Sequence, residues 1–139
     1  MTKTEGKYQE INEEGLTILS DFTEDVPVFM MNYLKYKEIV CETGKTGRET
    51  YRAYLEAAIP FFNQLKAEII FKGKPIATII GLKDEKLWDE VLIVKYLNKN
   101  EFFKLLKMKN YPRELRVSSL SDSKPVSYTH LTLPTSAIV

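Results

Sequence analysis

Val26-Pro-Val-Phe-Met-Met-Asn-Tyr-Leu-Lys-Tyr36 is the stretch on which the fold turns. It is β-branched, aromatic and apolar on both alternating faces, which reads as a buried strand. Downstream, Glu38 to Lys45 reads as a loop. Thr46-Gly47-Arg48-Glu49 then forms a capping box. The threonine hydroxyl accepts the Glu49 backbone N–H, and the Glu49 carboxylate reaches back. Tyr51, Tyr54, Leu55, Ala58, Phe62 and Leu65 follow at helical spacing as one apolar stripe. Pro60 inside that stripe removes an N–H and crowds the carbonyl four residues back, so a kink is expected.

Further on, Ala67 to Lys72 and Ile76 to Gly81 are two β-rich runs, separated by the turn signal Gly73-Lys74-Pro75. Trp88 to Leu97 is another apolar strand. Its Val91 and Ile93 point one way, and Leu92, Val94 and Tyr96 the other. Asn98 and Glu101 open a second helix carrying Phe102, Phe103, Leu105 and Leu106. Tyr111-Pro112 breaks it, and Pro112 suits the start of a further helical turn toward Leu120. Asp122 to Pro125 leads into a last strand. Upstream, Ile11 to Phe22 suits a short helix, weakened by Gly15. Without that first helix and one extra hairpin strand, the order is strand-helix-strand-strand-helix-strand. This predicts an α+β domain of ferredoxin-like type, with an antiparallel sheet and its helices on one face.

A chain of 139 residues fits one domain. Its net charge of +1, with lysines dispersed, gives no pull toward nucleic acid or anionic membrane. The longest apolar runs fall short of the ~20 residues a membrane helix needs. The N-terminus is polar and lacks a signal core. Cys41 is the only cysteine, so no intrachain disulfide forms. A cytoplasmic location is expected.

Several pieces carry a family likeness: Val28 to Tyr36, Thr46 to Tyr54 followed by Ala57-Ala-Ile-Pro60, Phe71-Lys-Gly73, Trp88-Asp-Glu-Val91 and Asp122-Ser123. In order and spacing this set resembles the domain-of-unknown-function family 1330, of the dimeric α/β-barrel superfamily. The likeness spans roughly Pro27 to Lys124. It implies a ferredoxin-like fold and a dimer, with no settled activity. Some members carry a histidine shortly before the arginine that Arg116 resembles; Pro112-Arg-Glu-Leu-Arg116 has none.

The end of the chain differs from the rest. No charged residue occurs from Val126 to Val139. Val126-Ser-Tyr-Thr-His-Leu-Thr-Leu-Pro-Thr135 resembles the translation of a transposon end used in sequencing libraries. Three parts are therefore expected: an extension with a short helix over 1–25, the α/β domain over 26–125, and a non-native, dispensable tail over 126–139. The tail nonetheless alternates like a strand and can mimic a final one. Setting it aside removes His130, the only histidine, and with it any histidine base, metal ligand or haem ligand.

Asn32 is the sharpest candidate. Alternation places it among Val28, Met30, Leu34 and Tyr36, and a buried amide without partners costs ~1–3 kcal/mol. It either ties down neighbouring backbone or orients a ligand. Tyr51 and Tyr54 sit on the sheet-facing stripe, as core fillers or as the lining of a cleft. Arg116 either pairs with Asp122 or binds an anion. Trp88 reads as packing, and Asp89 as a solvated turn charge. Cys41 has no basic cluster or histidine to activate it. No phosphate-binding glycine motif occurs, and the acidic residues show no metal-ligand spacing. No cofactor is expected.

Two function classes follow. One is a cofactor-independent enzyme acting on an apolar or aromatic small molecule, by analogy with the monooxygenases and isomerases of the superfamily. The other is a non-catalytic ligand-binding or stress-associated module. A homodimer is expected for either, because strands apolar on both faces leave one sheet face uncovered by helices.

Overall fold

The computed structural model describes residues 11–129. His130 and the rest of the tail lie outside the described residues, as does the start of the N-terminal extension. Four helices and four strands alternate as α1 (Glu13–Asp21), β1 (Val28–Tyr36), α2 (Gly47–Leu65), β2 (Glu68–Gly73), β3 (Glu90–Tyr96), α3 (Lys99–Lys107), α4 (Arg113–Ser119) and β4 (Leu120–Thr129). The strands form one antiparallel sheet in the order β2-β3-β1-β4. That is the ferredoxin-like arrangement, with α3 and α4 together taking the place of the second helix. The sheet of the single chain is open, not closed into a barrel.

The core lies between the sheet and the helices. Met30 and Leu34 of β1 and Leu92, Val94 and Tyr96 of β3 meet Tyr51, Tyr54, Ala58, Phe62 and Leu65 of α2 and Leu105 of α3. Strand alternation and helix periodicity thus place these side chains as expected. The other sheet face carries a row across all four strands, in which Ile93 pairs with Phe71 and Met31, and Met31 pairs with Val126.

Local signals decide where the helices begin. Thr46 accepts from Glu49 N at 3.0 Å, and Glu49 accepts from Thr46 N at 3.0 Å. Asn98 accepts from Glu101 N at 3.0 Å. Helix α2 runs through Pro60. Gly47, the first residue of α2, sits where three segments cross. Its N–H donates to Lys37 O at 2.9 Å, and Lys37 N donates to Ser119 O at 3.0 Å. A Cβ there would lie 2.4 Å from Lys37 O and 2.5 Å from Ser119 O, so only glycine fits. This crossing joins the end of β1, the start of α2 and the α4–β4 junction.

Three expectations need correction. Ile76 to Gly81 forms no strand. Gly73, expected in a turn, instead ends β2 opposite Val91. Ile76, Ile79, Ile80 and Leu82 are exposed. A strand at 76–81 would lie beyond β2, itself mostly exposed, and would have almost nothing to bury against, so its propensity goes unused. Asp89 is no free turn charge: its carboxylate accepts from Tyr36 N at 2.8 Å and pairs with Lys35 at 3.6 Å. Helix α1 forms, with Asn12 capping Gly15 N at 2.9 Å, but buries none of its residues. Strand β4 runs on past Pro125, with Val126 opposite Met31 and Tyr128 opposite Phe29. The alternation of residues 126–129 lets them continue it.

Candidate functional site

Asn32, Tyr51, Tyr54 and Arg116 come from β1, α2 and α4, and they meet inside the core. Asn32 is 8% exposed. Its side-chain amide donates to Met30 O at 3.1 Å and to Leu92 O at 3.3 Å. Its Oδ1 accepts from Arg116 Nη2 at 3.3 Å. The same guanidinium carries the charge that works against the rise in the Tyr51 pKa. Tyr54 and Tyr111 share a hydrogen bond between their hydroxyls. Asn32, Tyr54 and Arg116 thus each have a protein partner for a polar atom, as buried groups require.

Arg116 does not pair with Asp122. It is partly buried, and no described carboxylate stands within ion-pair distance of it. The short helix α4 starts beside Tyr111 and packs on α2, which turns residue 116 inward toward Tyr51. Arg113, by contrast, faces out and caps the end of α3 through Leu106 O at 2.7 Å.

Aromatic rings surround the guanidinium. Tyr51 and Tyr54 lie 5.1 Å apart between centroids, Tyr36 and Tyr51 5.6 Å, and Tyr54 and Tyr111 6.0 Å. Burial pushes the Tyr51, Tyr54 and Tyr96 hydroxyls up from their ordinary pKa. It holds Tyr111 up at about 12. Arg116 acts against that rise in all four. At neutral pH these phenols are protonated, able to donate a hydrogen bond but not to act as bases.

At the edge of the cluster the Tyr36 hydroxyl donates to Glu90, and the Arg48 guanidinium lies 4.7 Å over the Tyr36 ring. Burial, followed by the Glu90 bond, raises the Tyr36 pKa. Tyr96, Tyr111 and the Tyr36–Glu90 pair were not among the sequence candidates. Tyr96 was readable from alternation. Tyr111 was not, since it precedes a helix-breaking proline and gains its place from the turn at Asn110, whose φ is 69°. Trp88 packs against Tyr33 at 5.9 Å between centroids. Cys41 is exposed. Among the described residues no group of histidine, cysteine, aspartate and glutamate side chains could hold a metal ion. No described helix is long and apolar enough to cross a membrane. A separate groove of about 240 Å³ on α2, lined by Lys45, Glu49, Arg52, Ala53 and Glu56, lies apart from the aromatic cluster.

Fold and site together define an α+β protein with an antiparallel ferredoxin-like sheet and an arginine held among tyrosines beneath its helices. Among solved structures the chain is similar to RPA0582, a protein of unknown function from Rhodopseudomonas palustris, with 24% identity and a TM-score of 0.77 over 89% of this chain and 97% of that one. It is also similar to methylated RPA0582, with 23% identity and a TM-score of 0.76 over 88% of this chain and 94% of that one. At these identities the likeness establishes the fold alone. No family model and no curated protein matches the chain.

Proposed function

We propose that the chain is a cofactor-independent enzyme acting on a small apolar or aromatic molecule held between the sheet, α2 and α4. The observation that carries this is the convergence of the Asn32 amide, the Tyr51, Tyr54 and Tyr111 hydroxyls and the Arg116 guanidinium inside an otherwise apolar core. A few polar groups aimed into apolar walls are what a small-molecule site needs. A second reading, a non-catalytic ligand-binding module, has its own support. With every tyrosine of the cluster held protonated, no general base stands beside Arg116.

Mass spectrometry of small molecules released from the purified protein tests both readings. An aromatic or apolar metabolite that is turned over supports the enzyme. One that binds unchanged, with Asn32→Ala lowering affinity more than stability, supports the binding module. An aromatic cluster that takes up no small molecule removes both.

Membership of family 1330 is part of the same proposal. The ordered motifs from Val28 to Ser123 and the strand order support it. So is a homodimer formed through the open sheet face. The row Phe71, Ile93 and Met31, flanked by Tyr33, Val91 and Phe29, is apolar across β2, β3 and β1, and Val126 and Tyr128 extend it on β4 in the chain as it stands. A second copy offers the same row, and twofold packing of the two would close both sheets into one core.

A further inference from the structure

We infer that the site takes a small monocarboxylate with an apolar or aromatic body, its carboxylate held by Arg116 and the tyrosine hydroxyls. This rests on the cleft reading above and names its ligand class.

The cluster is rich in donors and poor in acceptors. A guanidinium carries five N–H donors. The Arg116 side-chain acceptor found in the structure is Asn32 Oδ1, at 3.3 Å, a neutral group. Arg116 acts on the Tyr51 hydroxyl by its charge, and a phenol beside a guanidinium can turn its O–H toward an anion. Tyr54 and Tyr111 share one hydrogen bond, so one of their two O–H groups also remains. The Asn32 amide hydrogens are already given to Met30 O and Leu92 O. No described carboxylate stands within ion-pair distance of Arg116. Glu90, at the edge of the cluster, is engaged by Tyr36.

A partly buried cation with only dipolar partners costs free energy that an anion recovers. A carboxylate is planar, like guanidinium, and accepts two parallel N–H bonds, with lone pairs left for phenol hydroxyls. One guanidinium balances one negative charge, so a phosphate dianion would bring a second charge with no partner. The remaining walls, Phe61 against Tyr111 and Tyr51 against Tyr54, are aromatic and suit an apolar body.

The test uses the full chain and a calorimetric titration with a panel of aromatic and aliphatic monocarboxylates, each matched to its neutral primary amide, plus phenyl phosphate. At least one acid is expected to bind ~10-fold or more tightly than its amide, the discrimination a charge-assisted hydrogen bond gives. In Arg116→Met that ratio should fall to about 1 while the amide still binds. The comparison of acid with amide in the unmodified chain stands even where the variant fails to fold. Amides that bind as well as their acids overturn the carboxylate assignment and leave the cleft reading intact. Tighter binding of phenyl phosphate overturns the monoanion. A panel in which nothing binds overturns both the assignment and the cleft reading.

Discussion

Replacing Gly47 by alanine would put a Cβ 2.4 Å from Lys37 O, 2.5 Å from Lys37 N and 2.5 Å from Ser119 O. Comfortable carbon contacts lie at about 3.5–4.0 Å, so backbone must retreat by ~1 Å. All three atoms are main chain, and no side-chain rotation relieves the overlap. Overpacking of this kind costs ~1–3 kcal/mol. The retreat also stretches the Gly47–Lys37 and Lys37–Ser119 hydrogen bonds, now 2.9 and 3.0 Å. Each is worth ~0.5–1.5 kcal/mol. Alanine's better helix propensity returns less than ~1 kcal/mol at a helix start. The expected loss is ~2–5 kcal/mol, a large share of the ~5–15 kcal/mol of an ordinary domain. Urea unfolding measures it, with Gly44→Ala as the control. Gly44 has φ +73 and nothing within 4 Å of a built Cβ, so it should lose only ~1–2 kcal/mol of backbone strain. A Gly47→Ala protein no less stable than Gly44→Ala would refute the account of the crossing. The site depends on it as well: Tyr51 follows Gly47 by one helical turn, and Arg116 precedes Ser119 by one.

Tyr54→Phe or Tyr111→Phe alone should cost ~1–3 kcal/mol, because each strands the other buried hydroxyl, and the double substitution should cost less than both together. Additive losses in a double-mutant cycle would show that the two hydroxyls do not share a bond. Unfolded tyrosines ionise near pH ~10, whereas burial holds Tyr111 at about 12 and pushes Tyr51, Tyr54 and Tyr96 up too. The unfolded chain therefore sheds protons first. Stability is full below pH ~10 and falls as pH rises through the folded values. Tyrosinate absorbance should show these groups ionising together with unfolding; ionisation near pH 10 in a folded chain would contradict their burial. Ile93→Glu, at the centre of the open apolar row, should turn a dimer into a folded monomer in sedimentation experiments, and a native chain already monomeric at micromolar concentration sinks the dimer.

What the sequence disclosed was local or periodic. Both caps were legible because their partners lie within one turn: Thr46 and Glu49 satisfy each other, and the Asn98 side chain accepts from Glu101 N. Asn32 and the two α2 tyrosines were legible because periods of 2 and 3.6 assign a face without knowledge of what lies opposite. The partner of Arg116 was not legible. Asp122, six residues on, was the obvious acid by sequence, but the chain turns from helix to strand at Leu120, and Asp122 stands opposite Lys35 in β4 while Arg116 reaches Asn32. The chosen partner, Asn32, is 84 residues away and is reached only through the α2–α4 packing. Ile76 to Gly81 misled for the complementary reason: its residues favour a strand, but strand stability comes from cross-strand neighbours and burial, and the edge beyond β2 offers almost none. The same argument bears on the end of the chain. Residues 126–129 pair with Val28–Met31 because β1 presents an unsatisfied edge and any alternating segment of the right length can fill it. Pairing there follows from the vacant edge and the alternation of these residues, with or without selection for the strand.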